Sequence, residues 1–195
     1  MTQADTILNR VYKTLRIHNQ TDEQKYIQID AIVSALQKIH RHRAINGKTT
    51  GTISERLCEL ALKARVSNIY KKISDKWNWM ADFSVLGHPF NLLISVKSFK
   101  AKERLLVSGS GNILSPTIGW GLMDDVTEWT EARTRIYLFR SFISIYLPAA
   151  LFNSIGQAAK SINNINGKPL LRSIDSFMDD LTNSIDGGVI DISSF

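Results

Sequence analysis

The sequence predicts an α/β (α+β) fold with a helical N-terminal region, and three observations predict it. Apolar residues recur at three- and four-residue spacing through much of residues 4–71. Two apolar runs, Met80 to Leu86 and Phe90 to Phe99, then flank Gly87-His88-Pro89, the punctuation of a strand–turn–strand unit. Helical patterns return after Thr127, and no repeat, low-complexity tract or linker divides the chain. At 195 residues the chain suits one domain, 1–195, able to bury a substantial core.

Residues 4–17 read as a helix with Ile7, Val11 and Leu15 on one face. Thr21 or Asp22 caps a second helix, whose stripe is Ile29, Ile32, Val33, Leu36 and Ile39. It ends in Lys38, His40, Arg41, His42 and Arg43 and runs into a polar loop over 44–51 that holds Asn46 and Lys48. His40 and His42 lie two apart with no third ligand, so they read as surface residues rather than a zinc pair. A third helix is expected from Thr52 to about Lys71, with Ser54 as cap. Glu55 and Glu59 would then meet the positive end of its dipole. After the two strands, Leu105-Leu106-Val107 reads as a strand and 108–112 as a glycine-serine loop. That loop lacks the Gly-Lys-Ser/Thr of a phosphate-binding P-loop. A short strand is expected within 113–120 and a long helix over 127–147, stopped by Pro148. The part beyond, 148–195, reads as largely helical, with an acidic helix over 173–185 and a last strand at 189–192.

Apolar residues make up 44% and charged residues 22%, ordinary for a soluble globular protein. No apolar run reaches membrane-spanning length, and Met-Thr-Gln-Ala-Asp is no secretory leader, so no membrane partner is expected. The lone Cys58 reads as a buried small hydrophobe in a reducing compartment. The net charge of +6 is unevenly spread. Residues 1–104 hold 18 Lys and Arg against 9 Asp and Glu, while residues 105–195 hold 6 against 9. An excess of this kind suits a polyanion, whose neutralised phosphates release counterions.

The hairpin carries the chemistry. Asp82 lies on the first run. On the second, Ser95 and Lys97 alternate with Ile94 and Val96, so a strand projects both polar side chains from one face. An acid, a gap, then a ligand position two residues before a lysine resembles the active-site hairpin of the PD-(D/E)XK nuclease superfamily. Glu55 to Lys100 carries the resemblance. Asp82 matches the first acid and Lys97 the lysine, whereas Ser95 stands where the family usually has Asp or Glu.

The resemblance implies a restriction-endonuclease-like central mixed β-sheet flanked by helices, with a catalytic core at 52–147 and a DNA-embracing arm at 1–51. It implies a magnesium-dependent endonuclease of double-stranded DNA, most like a type II restriction enzyme, in the cytoplasm of a prokaryote. Two-strand cutting implies a homodimer. Asp82 and the Val96 carbonyl would be metal ligands, Glu55 would supply the anionic oxygen that Ser95 cannot, and Lys97 would polarise the attacking water. Phosphate contacts are expected from Arg41, Arg43, Lys48, Lys100, Lys102 and Arg104, with Asn46 in the same loop. Asn112 is the base-edge candidate, a plain hairpin turn being the other reading of its loop. The alternatives are a junction-resolving or repair nuclease of the same fold, and a catalytically inactive DNA-binding protein, which the Ser95 departure favours.

Overall fold

The computed structural model describes residues 1–42, 45–99, 105, 115–140 and 142–195. Helices precede the sheet. Helix α1 (Gln3–Thr14) opens on a capping box in which Thr2 and Asp5 bond each other's main-chain N–H groups. The expected second helix is two: α2 (Asp22–Ile27), capped by Thr21, and α3 (Ile29–His42). They part at Gln28, whose φ of −100° and ψ of 22° leave the helical region. The break lets Tyr26 and Ile29 both face the core.

Helix α4 (Gly47–Val66) corrects the expected loop at 44–51. Asn46 is its N-cap and accepts the Thr49 N–H at 2.8 Å. Thr49 Oγ1 also donates to Gln3 Oε1 at 2.9 Å, so packing on α1 overrides the weak helix propensity of Gly and Thr. Ser54 is therefore not a cap. It lies inside the helix and donates to the Thr50 carbonyl. The helix also stops short of Lys71.

The strands run β1 (Tyr70–Lys72), β2 (Phe83–Val85), β3 (Leu92–Lys97), β4 (Thr117–Gly121), β5 (Phe142–Leu147) and β6 (Leu171–Ser173). They form one mixed six-stranded sheet in sequence order. β1–β2 and β2–β3 are antiparallel, and β3 through β6 are parallel. The expected α/β architecture, a central mixed sheet flanked by helices, is the observed one. The long helix at 127–147 is not. A 3-10 turn (Val126–Glu128) and helix α5 (Glu131–Phe139) precede β5, every residue of which is buried. An inner parallel strand covered on both faces reads as an unbroken apolar run, which periodicity does not separate from a buried helix. The C-terminal part contains helices α6 (Ala149–Ser154), α7 (Gln157–Lys160) and α8 (Phe177–Ser184), but it also supplies β6 and a small ribbon. The ribbon pairs β7 (Ile185–Asp186) with β8 (Val189–Ile190) and bridges to His88 in the β2–β3 turn.

Two cores sandwich the sheet. On one face α1 to α4 and α8 bury Leu36, Leu57, Leu62 and Phe177 against Phe83, Ile94, Val96 and Trp120. On the other, Trp129, Tyr137, Leu151 and Leu170 pack on Phe142, Ile145 and Leu147. Cys58 is fully buried in the first core, and burial pushes its thiol pKa well above the usual value. Among the described residues no helix is long and apolar enough to cross a membrane.

Tyr26 ties the first core together. Its hydroxyl donates to the Ile174 carbonyl at 2.8 Å and accepts the Trp120 indole N–H at 3.2 Å, all out of water. Tyr26→Phe therefore leaves two buried polar groups without this partner, and a stability loss of roughly 1–3 kcal/mol is expected. A denaturant midpoint measured beside the wild type, with the slope unchanged, checks it.

Candidate active site

The reading of the hairpin rests on which way β3 turns its groups. The Leu93 N–H donates to the Pro116 carbonyl, and the Lys97 carbonyl accepts the Leu122 N–H, so odd-numbered main-chain groups of β3 face β4. Even-numbered groups face β2: the Ile94 carbonyl accepts the Asp82 N–H at 2.9 Å. Beyond that bond β2 has ended as a ladder partner, and the Asp82 side chain takes its place. Asp82 Oδ2 accepts the Val96 N–H at 2.6 Å. The Val96 carbonyl leaves the strand on this same edge.

Lys97 comes to the same carboxylate, its Nζ 3.5 Å from Asp82 Oδ2. Side-chain exposure is 9% for Lys97 and 17% for Asp82, so the pair is largely withdrawn from solvent yet open on one side. Asp82 Oδ1 accepts no hydrogen bond among the described residues. Ser95 lies one residue back, fully buried and in register with Gly119. Gly121, in register with Lys97, has no room for a side chain: a Cβ there would stand 2.9 Å from the Lys97 carbonyl oxygen. The β4 backbone thus lies close against the end of β3 that carries the lysine.

Asp82, Val96 and Lys97 sit at the carboxyl ends of the parallel strands, the end at which open α/β sheets receive ligands. The basic end of α3 reaches this end as well. His40 stacks on Phe99, with ring centroids 4.9 Å apart and planes 13° from parallel. Asp124, just beyond β4, has its carboxyl pKa raised by burial, while His40 and Arg41 pull it down. Arg41 is exposed there. Ile45 is buried and donates its N–H to His40 Nδ1.

Glu55 is placed differently from the expectation. Because α4 begins at Gly47, Glu55 lies in the third turn, away from the dipole end. Its carboxylate pairs with Lys72 on β1, a residue to which the sequence reading gave no role. That bond, ahead of a desolvation cost, raises the Lys72 pKa, to which Glu59 and Asp82 also contribute. Glu55 and Asp82 thus share a neighbourhood without converging. No group of three His, Cys, Asp or Glu side chains fit to hold a metal occurs among the described residues. With its carboxylate paired to Lys72, Glu55→Gln is expected to cost at most about 1 kcal/mol, as for a half-exposed ion pair, and to leave any magnesium midpoint unchanged. Denaturation and a magnesium titration of the same variant check both halves.

Of the other expected DNA contacts, Lys48 is exposed in the first turn of α4, whereas the Asn46 side chain is occupied as a cap. Arg43, Lys100, Lys102, Arg104 and Asn112 lie outside the described residues, as do residues 106 and 107 of the strand expected at 105–107, and Leu105 itself is helical rather than extended.

The donor set fits magnesium in kind. Asp82 Oδ1 and the Val96 carbonyl are hard oxygens on one edge, and magnesium takes one or two carboxylates while keeping several waters. Ser95 adds no charge, and Glu55 is held by Lys72. No protein family, curated protein or solved structure matches the chain.

Proposed function

We propose that the chain is a magnesium-dependent endonuclease of double-stranded DNA, acting as a homodimer in the manner of a type II restriction enzyme. The observation that carries this is the meeting of Asp82, Val96 and Lys97 at one strand end, with basic Arg41 at the same end. Asp82 Oδ1 and the Val96 carbonyl would hold the cation. Magnesium, when bound, stabilises the charge that builds on the phosphate. Lys97 does the positioning. Its ammonium, fixed by Asp82, holds the attacking water with a lone pair towards phosphorus and then donates to the oxygens on which charge develops. Water adds to phosphorus and gives up one proton to solvent, the ester P–O bond breaks, and the leaving oxygen takes a proton from solvent, so protons balance. Val96, through its N–H on Asp82 Oδ2, fixes that carboxylate oxygen and leaves Oδ1 to the cation.

The basic half of the chain supplies affinity. Replacing Arg41 and Lys48 by glutamine is expected to weaken binding to every DNA sequence alike. Each lost phosphate contact should flatten the log–log salt dependence by about 0.9. Binding isotherms at several salt concentrations give the slope, and an unchanged slope would place both side chains away from the duplex.

One observation favours a second reading, a DNA-binding protein without catalysis. Ser95 is neutral and fully buried, and Glu55 is engaged elsewhere, so among the described residues Asp82 is the one carboxylate at the site. Incubation with a sequenced supercoiled plasmid, with magnesium or with a chelator, separates the readings. Discrete magnesium-dependent fragments are expected. Cleavage confined to branched DNA would indicate a junction-resolving enzyme, and binding with no cleavage the inactive module.

A further inference from the structure

We propose that Trp77 and Trp79 form a stacking platform for unpaired bases of a DNA strand passing beside Asp82. The chain buries its other two tryptophans, Trp120 at 0% and Trp129 at 3% exposure, yet leaves these two at 49% and 48%. Large aromatic rings held half in water are surfaces for contact. The rings are 6.4 Å apart and tilted by 44°, so they are not stacked on each other. They stand on the turn between β1 and β2, in a run where Ser74 to Trp79 are all exposed.

The turn is built rather than loose. The Trp77 N–H donates to the Ser74 carbonyl and the Met80 N–H to the Trp77 carbonyl. At its base the Ile73 N–H donates to the Asp82 carbonyl at 2.9 Å, so the platform and the carboxylate share one backbone support. Lysines surround it. Lys71 and Lys76 are exposed, Lys76 Nζ lies 5.7 Å from the centre of the Trp77 ring, and Asp75 is the one acidic residue of the turn.

Aromatic faces beside ammonium groups are the means by which proteins hold single strands: bases stack and lysines take the phosphates, with little regard to sequence. Paired bases within a duplex already have both faces covered. The platform therefore takes bases that have left the stack, as at a frayed or locally unwound point of a duplex substrate beside Asp82. The substrate consequence rests on the nuclease reading, whereas the binding itself does not.

The test uses tryptophan emission of the full chain in chelator, where no cleavage occurs. A short oligothymidylate should quench the exposed pair, and a blunt duplex of equal length should do so far less. Trp77→Ala and Trp79→Ala should each weaken oligothymidylate binding about 10-fold, read by anisotropy of a labelled strand, with an unchanged salt slope because no charge is lost. Both side chains are exposed, and circular dichroism checks that the variants fold. Equal quenching by duplex, or affinity retained in both variants, overturns the platform. So does concentration-dependent shielding of the free protein from acrylamide, which would show a second copy covering the rings. Failure of quenching in a protein that cuts plasmid removes the platform alone. Quenching by a protein that never cuts removes the nuclease alone.

Discussion

Lys97→Ala is expected to lower the rate of DNA cleavage by about 10²–10⁴-fold while leaving DNA affinity within a small factor of wild type. The side chain is 9% exposed and 3.5 Å from Asp82, so it can act on the reacting phosphate and on little else of the DNA backbone. Removal also strips a largely buried carboxylate of its counter-charge, and instability could imitate the loss of rate. Lys97→Met keeps the aliphatic stem and separates the two causes. It should restore packing without restoring cleavage. Single-turnover rates, with electrophoretic binding and a thermal melt for each variant, check the set.

Asp82→Asn should be equally damaging and differ in one respect. The amide oxygen can still accept the Val96 N–H, so the local backbone is kept, but the negative oxygen is gone. Loss of several kcal/mol of cation-dependent stabilisation corresponds to a fall of about 100-fold or more. In chelator the variant should bind DNA more tightly than the wild type, because a charge that repels the phosphate has been removed. Tighter metal-free binding together with lost cleavage is a paired result that simple misfolding does not produce.

The parts of this site that could be read in the sequence are those fixed by short-range rules. Strand alternation across a tight turn is enough to bring Asp82 to Lys97, because a hairpin leaves few registers to choose from. Thr21 as a cap was legible for the same local reason. Glu55 was not, since its position depends on where α4 begins, and tertiary contact from Gln3 to Thr49 moved that start back over a run with glycine and threonine. β5 was illegible because burial on both faces erases the alternation that marks a strand. Lys72 acquires its partner through strand pairing seventeen residues away from Glu55 in sequence, which no local pattern announces. The tryptophans do carry a local signal: Trp-Asn-Trp in a short polar run with Lys71, Lys72 and Lys76 is unusual for a plain turn.

Cleavage rate of supercoiled plasmid against magnesium concentration, for wild type and Lys97→Ala in parallel, decides whether Asp82 and Lys97 act together on a magnesium-assisted reaction. A saturating rise is expected for the wild type, with no cleavage in chelator, and a curve for the variant at least about 100-fold lower, with DNA binding preserved. A wild-type protein inert at every magnesium concentration, or two curves that coincide, would contradict that expectation.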